Sequence, residues 1–270
     1  MAKNSEIGWT HHTANPWWGC VKVSPACDHC YASTISARLS ASLFGHRVAW
    51  GPGAQQGHKM DELEREAPRW DRAAAKAGER HRVFCGSMCD WAEGRADQRP
   101  SLARLFPLIQ RTSQLDWLLL TKRPNIGHRL LAEAYGPALP RNIWVGSTVE
   151  NQDWAAKRLP HLLQIDAAVR FVSVEPQLGP VDLRPHLGVG RGKVNWVICG
   201  GESGAGARGS TEVLDWYRSL RDQCAESGAR FFFKQWGRFR QEGDAVVKLR
   251  GKNPDNALDG VRWEQYPEVG

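Results

Sequence analysis

Seven short apolar runs, separated by segments of helical character, constrain the fold of this 270-residue chain more than any other feature. The runs are nearly continuous in apolar residues, which is typical of parallel strands buried on both faces. Repeated strand–helix units join parallel strands through right-handed crossovers. No glycine-rich dinucleotide fingerprint follows the first run, so the sequence predicts an α/β fold, a (βα) barrel of about six or seven parallel strands, partial or complete. The runs are Trp17–Val21, Arg82–Gly86, Leu115–Leu120, Asn142–Gly146, Arg170–Val174, Val194–Cys199 and Arg230–Phe233.

The segments between the runs predict helices, and two stretches depart from the rhythm. Ser210 or Thr211 is suited to cap a helix that continues to Cys224 and ends at Gly228. Further helices are predicted over 101–110, with a kink at Pro107, and over 126–135 and 153–163. Residues 45–80 read as an insertion that carries a helix. We predict one barrel domain over 1–236 and a polar C-terminal tail over 237–270 packed on it.

Composition narrows the class of protein. The chain is 41% hydrophobic and 24% charged, which is ordinary for a globular chain with one sizeable core. No stretch approaches the ~18 apolar residues of a membrane span, and the N-terminus lacks an apolar signal core, so we expect a cytoplasmic protein without a membrane partner. In that reducing compartment, seven cysteines favour metal binding or catalysis over disulfides.

The net charge of +7 suits a nucleic-acid or nucleotide substrate, although a solvated basic surface explains it equally well. The chain also contains 13 tryptophans. Trp117, Trp144 and Trp196 stand within apolar runs, so we expect them in the core rather than as base-stacking platforms.

Polar side chains follow each of the last six runs. The carboxyl ends of parallel strands in a barrel meet at one rim, where such folds place their active sites. A helix cap or a loop hydrogen bond would explain any single residue, but the repetition favours a functional rim. The residues are Ser87 and Asp90; Thr121, Lys122 and Arg123; Ser147, Thr148 and Glu150; Ser173 and Glu175; Gly200, Gly201, Glu202 and Ser203; and Lys234 and Gln235.

The segment Gly200–Gly204 (GGESG) is the most distinctive of these ends. Glycines let the backbone approach a ligand closely and expose amide donors to an anion, while Glu202 offers a carboxylate. A tight turn after a strand also requires glycine, so both explanations remain open from the sequence.

Three cysteines, Cys20, Cys27 and Cys30, stand close together in the segment GCVKVSPACDHCYA. A pair two residues apart can hold one metal or cluster, and a third cysteine nearby makes a coordination site the economical explanation. A closed zinc site would need a fourth ligand, for which His29, Cys85 or Cys89 is available. The residues therefore leave an iron–sulfur cluster, a zinc ion or three unliganded thiols as alternatives.

Seven segments resemble a phage-borne and bacterial family of unassigned function that carries a three-cysteine motif. That family is regarded as a distant relative of the radical S-adenosylmethionine (SAM) superfamily, in which an aromatic residue also follows the last cysteine, as Tyr31 does here. The resemblance runs from about Trp9 to Trp263, and the motif set is highly specific. The segments are TANPWWGCVKVSPACDHCYA, VFCGSMCD, LLLTKRP, IWVGSTVEN, FVSVEPQLGP, WVICGGESG and FFFKQWG.

The resemblance implies a TIM-like barrel of radical SAM type, partial or complete, with a [4Fe–4S] cluster on the three cysteines and SAM on the rim. Three thiolates would leave one iron open to the amino and carboxylate groups of SAM. Arginine suits the SAM carboxylate because it binds carboxylates bidentately. The residues that we expect to contact the cofactor are Ser87, Lys122, Arg123, Ser147, Glu175, Gly200, Gly201 and Glu202.

The chain departs from the superfamily pattern in three ways. The commonest spacing there is C-x3-C-x2-C, whereas six residues separate Cys20 from Cys27 here. A Gly-Gly-Glu triplet that contacts the SAM amino group usually follows the second strand, whereas here it follows the sixth run, so that role is not carried over to Glu202. Cys89 stands where this family is expected to have glycine, and is either incidental or a specialised hydrogen-atom donor.

The resemblance implies an enzyme that cleaves SAM reductively and abstracts a hydrogen atom from its substrate. An external electron donor of the flavodoxin or ferredoxin type would be needed. The family's phage context, the positive charge and the aromatic content suggest a nucleobase in DNA or RNA as substrate, for modification or repair. The alternatives are a zinc-stabilised nucleic-acid-binding protein without catalysis, and an iron–sulfur sensor or partner without SAM chemistry. The sequence makes no prediction of the oligomeric state.

Overall fold

The computed structural model describes residues 2–3, 5–204, 206–249 and 256–268. The strands, in chain order, are β1 (Ala2–Lys3), β2 (His12–Ala14), β3 (Trp17–Trp18), β4 (Gly57–His58), β5 (His81–Cys85), β6 (Leu115–Thr121), β7 (Ile143–Thr148), β8 (Val169–Val174), β9 (Trp196–Gly200), β10 (Arg230–Gln235), β11 (Phe239–Glu242), β12 (Ala245–Lys248), β13 (Ala257–Leu258) and β14 (Val261–Arg262). The α-helices are α1 (Tyr31–Phe44), α2 (Met60–Ala77), α3 (Arg99–Arg111), α4 (Pro124–Tyr135), α5 (Gln152–Leu162) and α6 (Val213–Ser227). Short 3-10 helices cover Pro25–Cys27 and Ala96–Gln98.

The main sheet has eight strands in the order β1-β2-β5-β6-β7-β8-β9-β10. Strand β1 pairs antiparallel with β2, and the other seven strands are parallel. The predicted fold is confirmed as a mixed α/β fold of the partial (βα) barrel type. Residues 175–195, all described, link β8 to β9 without an α-helix.

The first strand of the parallel sheet differs from the prediction. The predicted strand Trp17–Val21 is wrong, because Trp17–Trp18 instead pairs antiparallel with Gly57–His58 outside the main sheet. The first parallel strand is β2, in register with β5 from His12 opposite Val83. Its sequence, HTA, contains no apolar run, so period and composition could not reveal it. The cysteine segment lies after β2 in the chain.

The chain forms two compact units. The first unit comprises residues 1–23 and 32–145, and the second comprises 24–31 and 146–270. In the first, α2 packs on α3 and on β5 and β6. In the second, α6 packs on β9 and β10. Trp117, Trp144 and Trp196 are buried as expected, and Cys85 and Cys199 are also buried.

The predicted helices are found with small differences at their ends. Helix α6 begins at Val213, so neither Ser210 nor Thr211 is its N-cap, but it ends at Gly228 as predicted. Gly228 has φ 76°, a left-handed conformation that glycine adopts without strain. Helix α3 contains Pro107 within its length. Helix α1 was not predicted from the sequence, because its many serines weaken the helical signal.

The two stretches that interrupt the alternation of predicted strands and helices also have defined structure. The predicted insertion at 45–80 contains α2, which buries Leu63, Ala67 and Trp70. Residues of the C-terminal tail bond to β10, because Phe233 N donates to Trp263 O at 2.8 Å. Among the described residues, no helix is both long and apolar enough to cross a membrane.

Candidate functional site

Cys20 lies in the first unit, in the loop after β3, and is partly exposed. Burial raises the pKa of its thiol to about 12, and the carboxylates of Asp90 and Glu93 add to that effect. Arg123 and Lys122 act in the opposite direction. Three of the predicted site residues, Cys20, Lys122 and Arg123, therefore share one electrostatic neighbourhood.

Asp90, in the loop after β5, accepts several hydrogen bonds in this neighbourhood. It accepts hydrogen bonds from Thr121 Oγ1 at 2.6 Å and from Arg123 Nη1 at 2.7 Å. The backbone N–H of Lys122 donates to the same carboxylate at 3.2 Å. A second guanidinium nitrogen, Arg123 Nη2, donates to the carbonyl of Val21 at 2.8 Å. Arg123 thus ties the end of β6 to the residue that follows Cys20.

Ser87 and Cys89 belong to the same unit. Asn15 holds the turn after β5, since its Nδ2 donates to Ser87 Oγ at 2.9 Å and its Oδ1 accepts from Met88 N at 2.7 Å. Cys89 pairs with Gly19 in an isolated parallel bridge, which places it beside the residue that precedes Cys20. Burial raises the pKa of Cys89 well above its usual range, so its sulfur carries a proton.

Two residues of this neighbourhood were missed as site candidates by the sequence analysis. Asn15 is 2% exposed, and its role depends on a contact across 72 residues of sequence, which no local pattern reveals. Glu93 is buried, and burial raises the pKa of its carboxyl group. In the sequence, only its position shortly after Asp90 could have indicated that Glu93 belongs to the site.

The second unit contains Cys27 and Cys30. Cys27 closes the 3-10 helix Pro25–Cys27, is buried, and lies with its sulfur 3.9 Å from Ser24 Oγ. Cys30 is partly exposed and immediately precedes α1. A proline at the first position of the 3-10 helix suits such a turn, since its missing N–H would have no partner there.

Glu202 is tied to this part of the cysteine loop. Its carboxylate accepts hydrogen bonds from Arg208 Nη2 at 2.6 Å and Nε at 2.9 Å, and lies 3.3 Å from His29 Nδ1. Arg208 Nη2 also donates to the carbonyl of Pro25 at 3.0 Å. Burial opposes ionisation, but the bonds from Arg208 outweigh it and hold the pKa of Glu202 below its usual value. Glu202 is therefore an ionised anchor of the loop that precedes Cys27 and Cys30.

The glycines of the GGESG segment lie close to other parts of the chain. A Cβ on Gly201 would come within 1.9 Å of Trp236 O, and one on Gly204 within 2.3 Å of His29 O. The backbone approach that these glycines allow is thus between chain segments of the second unit. A role of Gly200, Gly201 and Glu202 in cofactor binding stays a prediction.

Glu175 and Ser147 occupy different settings at the strand ends. Glu175 follows β8 and forms an ion pair with Lys234 Nζ at 2.5 Å. Its carboxylate also lies beside Gly200, since a Cβ there would be 3.4 Å from Glu175 Oε1. Ser147 is fully buried within β7, and its hydroxyl donates to Thr148 O at 3.4 Å.

The donor set fits an iron–sulfur cluster by its chemistry. None of the seven cysteines forms a disulfide, so the sulfurs of Cys20, Cys27 and Cys30 can serve as thiolate ligands. Within the described ranges, no three His, Cys, Asp or Glu side chains are grouped closely enough to hold a metal ion. The cluster and its three ligands therefore stay a prediction.

Comparison with known proteins places the chain in a family. A family model described as a protein of unknown function, DUF5131, matches residues 4–267. Comparison with curated proteins gave no match.

Solved structures with a similar chain path include spore photoproduct lyase variants. One, with bound AdoMet and dinucleoside spore photoproduct, is 13% identical with a TM-score of 0.44 and is matched over 84% of this chain and 56% of its own. Another, a cysteine-to-serine variant, is 14% identical with a TM-score of 0.47 over 86% and 58%. The chain thus spans little more than half the length of these solved chains.

Proposed function

The chain belongs to the DUF5131 family, and from that premise we propose that it is a radical SAM-type enzyme with a [4Fe–4S] cluster on Cys20, Cys27 and Cys30. One observation carries the proposal: three cysteines, none of them in a disulfide, stand in the loop region that follows the first strand of a seven-stranded parallel sheet. A four-iron electron carrier takes four cysteines, and a closed zinc site takes four ligands, so three suit a cluster with one open iron. When bound, the cluster and SAM would supply an electron and a 5′-deoxyadenosyl radical.

The residues around Cys20 have a positioning role in this proposal. Arg123 holds both the Asp90 carboxylate and the Val21 carbonyl, so it fixes the loop on the C-terminal side of Cys20. Lys122 and Arg123 bring positive charge that offsets Asp90 and Glu93 and favours the thiolate that a metal requires. Lys122, Arg123 and Ser87 are the first unit's candidates for binding SAM, with an arginine fork suited to its carboxylate.

The residues around Cys27 and Cys30 have a positioning role in the second half of the cysteine loop. Arg208 and Glu202 hold the Pro25 carbonyl and the His29 ring, which brackets Cys27 between two fixed points. Glu175, Ser147 and the Gly200–Gly201 backbone are the second unit's candidates for SAM. Cys89, protonated because it is buried, is suited to donate a hydrogen atom.

The substrate class follows from charge and composition rather than from the fold. A net charge of +7 attracts a polyanion, so a nucleobase in DNA or RNA is the substrate we propose, in modification or repair. Electrons would come from an external flavodoxin- or ferredoxin-type donor in the cytoplasm.

One observation favours the rival reading, a zinc-stabilised nucleic-acid-binding protein. His29, between Cys27 and Cys30, places Nδ1 3.3 Å from the Glu202 carboxylate. Metal-bound histidines commonly donate their second ring nitrogen to a carboxylate in this way. In this alternative, His29 would be the fourth zinc ligand beside Cys20, Cys27 and Cys30.

The test is the metal content of anaerobically purified protein. We expect about four iron and four sulfide per chain, lost in Cys27→Ala and kept in Cys224→Ala, whose thiol is buried on α6 outside the motif. With dithionite as reductant, the loaded protein should convert SAM to 5′-deoxyadenosine and methionine. Zinc without iron after reconstitution would contradict the proposal and support the rival. A cluster without SAM cleavage would indicate an iron–sulfur sensor.

A further inference from the structure

A cavity of about 280 Å³ lies entirely within the second unit, and its lining is rich in aromatic side chains. Trp216, Tyr217, Trp236 and Phe239 all line it. Trp236 and Tyr217 are buried, with their rings edge to face at 5.6 Å, whereas Trp216 and Phe239 are partly exposed. Aromatic faces that reach solvent at the edge of a cavity are surfaces on which a flat ring can stack.

A buried hydroxyl within this lining has no partner among the described residues. Tyr217 is 0% exposed, and its hydroxyl makes no hydrogen bond to any residue that the structure describes. Burial raises the pKa of Tyr217 well above its usual value, so the group stays protonated and can donate. Leaving such a group unpaired destabilises the protein, and a ligand with an acceptor would remove that cost.

The size of the cavity restricts the ligand. Pockets for drug-sized molecules hold about 300–1,000 Å³, so this one suits a single planar ring system and its substituents. A nucleobase has the flat faces and the edge acceptors that this lining can recognise. Enzymes that act on bases commonly bind one unstacked base between aromatic side chains in this manner.

The cavity borders the cysteine loop. Pro25, between Cys20 and Cys27, contributes to the lining, together with Glu202 and Arg208. Arg208 donates to the Pro25 carbonyl, so the loop and the cavity share a structural element within the second unit. A group held in the cavity would therefore lie next to the segment that carries Cys27 and Cys30.

We propose that this cavity binds one unstacked nucleobase of a single-stranded nucleic acid, stacked on Trp216 and Phe239 and bonded by the Tyr217 hydroxyl. Exposed Arg238, next to Phe239 in the chain, is placed to meet the phosphodiester backbone. The inference rests on the proposed function for the reaction that follows, but base binding itself requires no cluster.

The experiment uses the full chain and single-stranded DNA trinucleotides that differ only in the central position, which is either a base or abasic. Binding is measured by calorimetry and by tryptophan fluorescence. The base should bind about tenfold or more tightly than the abasic site, and Trp216→Ala should remove that advantage. Trp154→Ala is the matched control, because Trp154 is also partly exposed in this unit but stacks under Lys157 and Arg158 away from the cavity lining.

A second variant separates a ligand-binding role from a structural one. Tyr217→Phe should weaken base binding about three- to tenfold while leaving the melting temperature equal or higher, because the lost hydroxyl is unpaired in the free protein. Tyr135→Phe, which removes a hydroxyl bonded to Phe106 O, should lower the melting temperature and leave base binding unchanged.

Three results would overturn the inference. Equal affinity for the base and the abasic site would show that charge attraction alone, without recognition of the base, explains the binding. Displacement of the trinucleotide by SAM would assign the cavity to the cofactor. Free nucleosides that bind as tightly as the trinucleotide would exclude a polynucleotide as the source of the base. If base binding fails while iron and SAM cleavage persist, the proposed function stands without this inference.

Discussion

At the residue scale, the Glu202–Arg208 pair determines how the second unit holds its part of the cysteine loop. The Glu202 side chain is 5% exposed and Arg208 38%, so the carboxylate depends on this one guanidinium far more than the reverse. Three Arg208 nitrogens, including the backbone N–H, donate to the carboxylate. Removing a partner from a buried charge leaves it uncompensated, which destabilises more than the pair stabilises.

Arg208→Ala is therefore expected to lower the free energy of unfolding by about 1–3 kcal/mol, a range reduced for the partial exposure of the arginine. Adding Glu202→Gln should recover part of the loss, because it removes the unpaired charge. Urea unfolding of the two single variants and the double variant measures the coupling. Arg184→Ala, at an exposed pair with Glu226, is the control and should change stability by less than about 0.5 kcal/mol. A double variant that is additive would contradict the argument.

At the element scale, the ends of β9 and β10 meet so closely that one position must be glycine. Gly201 N donates to Gln235 O at 3.0 Å, and a Cβ on Gly201 would come 1.9 Å from the Trp236 carbonyl oxygen. The neighbour is backbone rather than a flexible side chain, so the two strand ends would have to separate. That separation would also move Trp236 and Glu202, which line the cavity.

Gly201→Ala should consequently destabilise the protein by about 1–3 kcal/mol, the usual cost of overpacking. Gly179→Ala is the matched control, since its nearest neighbour is 3.5 Å away, an ordinary contact. Thermal unfolding of both variants is the measurement. Equal melting temperatures for the two would show that the strand ends separate without cost.

At the scale of the whole molecule, the excess of basic residues is the main physical support for a nucleic-acid substrate. The chain has 36 Lys and Arg against 29 Asp and Glu. Many described arginines are paired with carboxylates, among them Arg104, Arg158 and Arg218, so only part of the positive charge is free to meet phosphates. Binding by this charge would release counterions and depend steeply on salt.

Affinity for a single-stranded oligonucleotide should thus fall linearly on a log–log plot against salt concentration. Three to five phosphate contacts would give a slope of roughly −2 to −3.5, since each contact contributes about −0.7 on single strands. Fluorescence anisotropy over a series of salt concentrations gives the slope. The same titration of Arg238→Ala should reduce its steepness by less than one. A slope near zero would remove the electrostatic support for this substrate class.

The sequence by itself determined the parallel sheet, because strands buried on both faces must be continuously apolar, and six of the seven predicted runs lie on strands of that sheet. It also placed the core tryptophans within the sheet. Only the tertiary structure decided that β2 is the first strand. His12 is buried there because it stacks on Trp70 at 4.5 Å and bonds to His81 at 3.1 Å, partners that lie 58 and 69 residues away in the chain.

The same division holds for the candidate site. Cys20, Cys27 and Cys30 could be proposed from spacing alone, because thiolate ligation is a local chemical property of the loop. Asn15, Glu93 and Tyr217 could not, because their roles depend on burial and on partners distant in sequence. A buried hydroxyl without a partner cannot be recognised from amino-acid composition or from hydrophobic periodicity. It exists only where folding has removed water from around the group and brought no acceptor within reach.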